Sequence, residues 1–168
     1  MLKKALLCGI NNYQSQTDLR GCINDVNDMH RLLTEVFHFP ADQIRQLFNE
    51  QVTKATIQKE WQWLIQNAQP GDHLVFHFSG HGSYVTDDAN ADETDGYDEI
   101  TCLYDMDFYN ADTFIRDDEW STMIQQVPQD VNLTIIMDNC HSGTGTRNLV
   151  VPINGNQSTL AIDTQVSA

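Results

Sequence analysis

Basic residues are scarce in this sequence. Nine lysines and arginines stand against 24 aspartates and glutamates, a formal charge of −15 over 168 residues. Nucleic-acid binding needs Lys and Arg clusters against phosphate and is excluded as a function class. A substrate, if there is one, should be basic. Cysteine is also sparse. Cys8, Cys22, Cys102 and Cys140 form no CxxC pair and no dense disulfide framework, which suggests a reducing compartment and a cytoplasmic location. No stretch approaches the roughly 20 apolar residues of a membrane span. MLKKALLCGINNY sets two lysines before an apolar run. That run of about six residues is too short for a signal-peptide core, and Leu7 stands where a lipoprotein site wants a small residue. Internal repeats and low-complexity tracts are missing, so a repeat array is excluded and the length fits one domain.

Apolar periodicity is present and informative. KKALLCGI reads as a buried strand. Ile23, Val26, Met29, Leu32, Leu33, Val36 and Phe37 have helical spacing. QIRQLFN reads as a second strand. Thr53 or Thr56 caps a helix whose face is Ile57, Trp61, Leu64, Ile65 and Ala68. HLVFHFS is a third strand, EITCLYD a short one, and NLTIIMD the fourth main strand. Asp117, Asp118 and Glu119 open a helix through Trp120, Met123, Ile124 and Val127, where acids suit the helix dipole. After Gly143 the chain turns polar and gives no element. The alternation predicts an α/β fold with a mainly parallel central sheet. In such sheets ligands bind beyond the carboxyl ends of the strands. His81 and Cys140 both follow such ends, in LVFHFSGHGS and LTIIMDNCHSGTG.

A thiol is mostly protonated at neutral pH, and a neighbouring imidazolium favours the attacking thiolate. The histidine can then protonate a departing amine. Gly80, Gly82 and Gly143 would let a substrate backbone approach, and the amides of Gly82 and Cys140 could hold a developing oxyanion. Two other readings compete. A cysteine at a strand end is commonly a small buried apolar residue. A zinc site from His77, His81, Cys140 and His141 is conceivable, but no ligand pair has finger-like spacing.

HFSGHGS and DNCHSG resemble the two catalytic signatures of metacaspases and orthocaspases, the caspase-like cysteine peptidases. LRGCINDVNDM, DETDGYDE and IRDDEW resemble three further family segments, all in the family's order across about residues 1–147. The resemblance implies a caspase-like three-layer sandwich with helices on both faces. It implies His81 as general acid/base and Cys140 as nucleophile. It also implies an acidic pocket for Arg or Lys formed by Asp25 and Asp138, with Cys22 and Ser79 beside them. The residues agree, since no Lys or Arg occurs between Lys59 and Arg116. For Asp25 a helix cap is the plainer alternative, and the two roles can coexist.

Asp88, Asn90, Asp92 and Glu99 fall at EF-hand positions, but Glu93 replaces the required glycine and a strand precedes the loop. A solvated acidic loop is the simpler reading. Calcium-activated relatives bind the ion elsewhere, at positions that resemble Asp98, Asp117 and Asp118 here. Their remaining ligand position is Arg147, a cation, so the expectation is no calcium requirement.

The expected function is a cysteine endopeptidase cleaving after Arg or Lys in protein or peptide substrates, with self-processing after Arg147. The expected division is a catalytic domain over 1–147 and a polar tail or linker over 148–168. Family members usually continue into a small subunit, which this tail does not resemble. An open sheet edge would favour such a partner or a homodimer. A catalytically silent scaffold and an acidic calcium-binding module are the alternatives.

Overall fold

The computed structural model describes residues 1–86, 97–141, 150–154 and 157–158. In chain order the strands are β1 (Lys3–Gly9), β2 (Ile44–Phe48), β3 (His73–Thr86), β4 (Tyr97–Cys102), β5 (Phe114–Arg116), β6 (Asn132–His141), β7 (Val150–Asn154) and β8 (Gln157–Ser158). The helices are α1 (Cys22–Glu35), α2 (Lys54–Ile65) and α3 (Asp117–Ile124). The sheet runs β2-β1-β3-β6-β7-β8, and β4 and β5 extend it beyond the end of β1. Strands β2, β1, β3 and β6 are mutually parallel, and the additions are antiparallel. This is the expected α/β sandwich with a parallel centre.

Side-chain alternation divides the core. Leu6, Cys8, Leu74, Phe76, Phe78, Leu133 and Ile135 face α2 and α3 in the larger apolar cluster. Ala5, Leu7 and Val75 meet Val26 and Leu33 of α1 in a smaller one. Trp61 locks the larger side: its indole N–H donates to the Met123 carbonyl at 3.1 Å, and its ring meets Phe76 and Trp120 edge-on. Thr53 caps α2, its hydroxyl accepting the Thr56 N–H at 3.3 Å. Lys4 closes the other end of α2, donating to the Trp63 and Gln66 carbonyls at 3.0 Å each.

Several boundaries differ from the sequence reading. β3 continues past Ser79 because β4 pairs with its last five residues, Gly82–Thr86. β6 likewise continues through Cys140, so both candidate residues lie inside strands. α3 stops at Ile124, ahead of Val127 and Pro128. Val36 and Phe37 lie beyond α1 and are 60% and 53% exposed, so the buried stripe of that helix is narrower than its apolar spacing suggests. Residues Val150–Ile153 of β7, in the stretch expected to be a tail, pair antiparallel with β6. The edge strands among the described residues are therefore β2, β8 and, on the β4 extension, β5.

Two features generate predictions. A Cβ at Gly9 would stand 2.8 Å from both the Cys22 carbonyl oxygen and Val26 Cγ2, so the close approach of α1 to β1 requires glycine. Gly9→Ala should lower unfolding free energy by ~1–3 kcal/mol, read from urea midpoints. His77, 3% exposed, has its pKa lowered to about 4, chiefly by burial. The unfolded chain then binds the extra proton between pH ~4 and ~6.5. The neutral imidazole's contribution to stability is present above this window and is lost as pH falls through it. Wild type should lose ~2 kcal/mol more than His77→Gln between pH 6.5 and 4. Equal losses would show that another group carries the dependence.

Candidate active site

The site begins with a register. β3 and β6 pair over ten rungs, and His81 lies opposite Cys140. The rungs behind it pair Ser79 with Asp138 and His77 with Ile136. β1 ends opposite Ser79, and β4 begins opposite Gly82. Gly80 and His81 thus sit at a break in the sheet, where β3 has lost one neighbour and not yet gained the next.

The loop between β1 and α1 fills this break. The His81 backbone N–H donates to the Tyr13 hydroxyl at 2.7 Å, and the two rings lie 4.8 Å apart, tilted by 45°. His81 Nε2 is 2.7 Å from the Thr17 carbonyl oxygen. A carbonyl only accepts, so Nε2 carries the proton and a neutral imidazole keeps Nδ1 as its acceptor. The loop itself is well tied. Asn49 Oδ1 accepts the Asn11 and Asn12 N–H groups at 2.9 and 3.1 Å, and Asp18 Oδ1 accepts the Tyr13 N–H at 3.1 Å. A Cβ at Gly80 would come within 2.6 Å of the Tyr13 hydroxyl. That glycine therefore makes room for the phenol, a different role from the substrate approach expected of it.

The acidic group gathers two rungs back, on the same face. Ser79 donates its hydroxyl hydrogen bond to Asp25 Oδ2 at 2.8 Å. Asp25 lies in the first turn of α1, whose N-cap is Gly21 and has no side-chain cap, so the cap alternative fails. Burial, opposed by a hydrogen bond from Ser79 and reinforced by the Asp25 and Asp138 charges, raises the Cys22 thiol. Asp25, Asp138 and His77 line one groove between α1 and β6 with Met29, Leu32 and Ile136. All four residues expected for an acidic pocket, Asp25, Asp138, Cys22 and Ser79, are thus brought together near the His81–Cys140 rung. Burial also raises the thiols of Cys8 and Cys102, which leaves them protonated and poorly nucleophilic at neutral pH.

The calcium candidates fit that ion poorly. The Arg116 guanidinium stands on the Asp98 carboxylate, with Nε 2.9 Å from Oδ2 and both side chains largely buried. Asp117 has its pKa raised, mainly by burial and further by Asp118 and Glu99. A cation is already built into this acidic group. Asp88, Asn90, Asp92, Glu93, Gly143 and Arg147 lie outside the described residues. Zinc finds no support at His77, which is buried at the base of the groove, four rungs from His81.

Sequence reasoning missed Tyr13, the Thr17 carbonyl and Arg116. Tyr13 and Thr17 act across more than 60 residues of chain, and a backbone acceptor leaves no mark on residue type. Arg116 could have been noticed as a cation preceding three acids.

The metacaspase, peptidase C14 domain family model matches residues 3–148. Metacaspase-1 of Meyerozyma guilliermondii is 42% identical over 148 residues, covering 84% of this chain and 35% of its own. Metacaspase-1 of Yarrowia lipolytica is 43% identical over 148 residues, covering 84% and 32%. The crystal structure of protein GSU0716 from Geobacter sulfurreducens aligns with a TM-score of 0.71 at 27% identity, covering 86% of this chain and 52% of that one. The chain spans about a third of the length of the curated relatives it matches. The family model covers nearly all of the parallel sheet and both signatures that meet at the His81–Cys140 rung, and the chain belongs to the metacaspase family.

Proposed function

We propose that this chain is the catalytic part of a cysteine endopeptidase that cleaves after Arg or Lys. The observation that supports it most is the single face of β3 and β6 that carries His81 and then the Ser79–Asp138 rung, with Asp25 bonded to Ser79. Period-2 alternation puts position 140 on the face that carries position 138.

The chemistry follows from the tautomer. With Nε2–H held by Thr17, His81 Nδ1 takes the Cys140 thiol proton, and the thiolate attacks the scissile carbonyl carbon. The amides of Gly82 and Cys140 hold the oxyanion. Collapse of the tetrahedral intermediate breaks the C–N bond, and Nδ1–H protonates the leaving amine. Water, deprotonated by the same nitrogen, then hydrolyses the thioester and frees the thiol. An arginine or lysine before the scissile bond extends along the strands toward Asp138 and Asp25. One rung pair behind the nucleophile is ~6.6 Å, close to the reach of an extended basic side chain.

Cys140→Ala should lower turnover of Arg- and Lys-ending fluorogenic peptides at least ~10³-fold with the circular dichroism unchanged. Appreciable turnover in that variant would remove the nucleophile assignment. Asp138→Asn and Asp25→Asn should each lower kcat/KM for basic peptides ~10- to 100-fold and narrow the preference over neutral ones. Unchanged selectivity in both variants would remove the acidic pocket.

Two regulatory readings accompany this function. Because Arg116 supplies the cation at Asp98, activity should persist in excess chelator. Silencing by chelator with recovery in millimolar calcium would refute that. Self-cleavage between Arg147 and Asn148 rests on sequence: it is the one Lys or Arg after Arg116, in a Gly- and Thr-rich stretch beyond the nucleophile. Intact mass should show the cut in wild type and lack it in Cys140→Ala and Arg147→Ala. An active, uncut wild type would exclude it as a maturation step.

A further inference from the structure

We propose that Tyr13 is a positioning residue for His81, replacing the strand that the sheet lacks at that point. The inference rests on the peptidase reading above for its reaction, but its structural basis is independent of substrate.

β3 is flanked on one side by β1 as far as Ser79 and by β4 from Gly82 onward. Between them, among the described residues, the main chain of Gly80 and His81 faces no strand on that side. An unpaired N–H there would be free to turn away or to draw in water. The Tyr13 hydroxyl occupies the place a strand carbonyl would take. It accepts the His81 N–H at 2.7 Å and sits 3.5 Å from the Cys102 carbonyl at the end of β4, toward which its own hydrogen is directed. One oxygen thus accepts from one bank of the break and points its proton at the other, which a phenol can do and a carbonyl cannot.

The side chain also restrains the imidazole. Its ring lies against the His81 ring at 4.8 Å, while Thr17, four residues along the same loop, takes Nε2–H. The main chain, the ring plane and the tautomer of His81 are therefore all set by the loop between β1 and α1. Tyr13 is 7% exposed, and burial keeps its phenol protonated well above the usual phenol range, so the hydroxyl remains a donor and acceptor at working pH. Gly80 completes the arrangement, because any side chain there would collide with the phenol oxygen.

The test uses Tyr13→Phe, which keeps the ring and deletes the oxygen. Gly80→Ala serves as a second variant that displaces the phenol from outside. Active sites are counted by titration with a thiol-directed inhibitor, so that misfolded protein does not register as slow enzyme. Tyr13→Phe should lower kcat per active site ~10- to 100-fold with KM within twofold, since the geometry of the base changes and the substrate pocket does not. A second readout does not need turnover: the rate of Cys140 alkylation by iodoacetamide against pH, followed by intact mass with Cys140→Ala as the blank. Tyr13→Phe should slow alkylation at least threefold at neutral pH and shift the profile, because a misplaced imidazole no longer supports the thiolate. Gly80→Ala should reproduce both changes. Unchanged kcat per site and an unchanged alkylation profile in Tyr13→Phe would overturn the proposal, even if its melting temperature fell. If wild type cleaves no basic peptide, the peptidase reading fails, and the alkylation profile still decides the role of Tyr13.

Discussion

Everything at the site hangs on the parallel alignment of β3 with β6. Ten consecutive rungs fix which residue faces which, from His73 opposite Asn132 to Gly82 opposite His141. A slip of one residue would turn every side chain of β6 to the other face, carrying Asp138 into the apolar layer under α2 and Leu133 and Ile135 out of it. The larger core therefore enforces the register, and the register positions the polar rungs. Asp72 sets the starting point, its two oxygens accepting the Leu2 and Gln69 N–H groups at 2.6 and 2.8 Å where β3 begins. The site inherits its precision from packing that contains no reactive group.

The surroundings divide into tasks that different segments perform. The loop after β1 handles the histidine, the first turn of α1 supplies the acid beside Ser79, and the segment from β4 to α3 carries an acidic group in which Arg116 pairs with Asp98. The overall charge of −15 gives these local arrangements a common bias toward cationic ligands. Lys54 and Glu119 join α2 to α3 with an ion pair at 2.6 Å, so two of the scarce cations, Lys54 and Arg116, are used to fasten the structure close to α3.

Much of this was legible in the residue order. Three of the parallel strands, β1, β3 and β6, announced themselves as apolar runs, β2 showed itself by alternation, and Thr53 marked the start of α2 through its capping chemistry. His81 and Cys140 stood out because small polar residues interrupt two such runs. Other features left weaker traces. β3 and β6 read as shorter than they are because their outer halves, from Gly80 and from Asn139, are polar and pair at the rim of the sheet. β7 was missed because its short apolar run is interrupted by Pro152 and flanked by polar sequence. Tyr13 could not be found by periodicity at all, since its meaning comes from a break between β1 and β4 that exists only once the sheet is assembled.

The unequal cover of the two sheet faces has a thermodynamic consequence. Helix α1 is held by the smaller apolar cluster and by the close approach at Gly9, whereas Tyr13 belongs to the larger cluster together with Phe78 and Cys102. Local opening free energies scale with such attachments. α1 is therefore the part of this side that detaches at least cost, and it takes Asp25 and Cys22 with it. The clamp on His81 stays behind. On the proposed peptidase reading, the preference for basic substrates would depend on α1 and the positioning of His81 on the larger cluster, two separately held parts of one small domain. On that reading, warming or mild denaturant would erode the preference for basic peptides before it abolishes turnover.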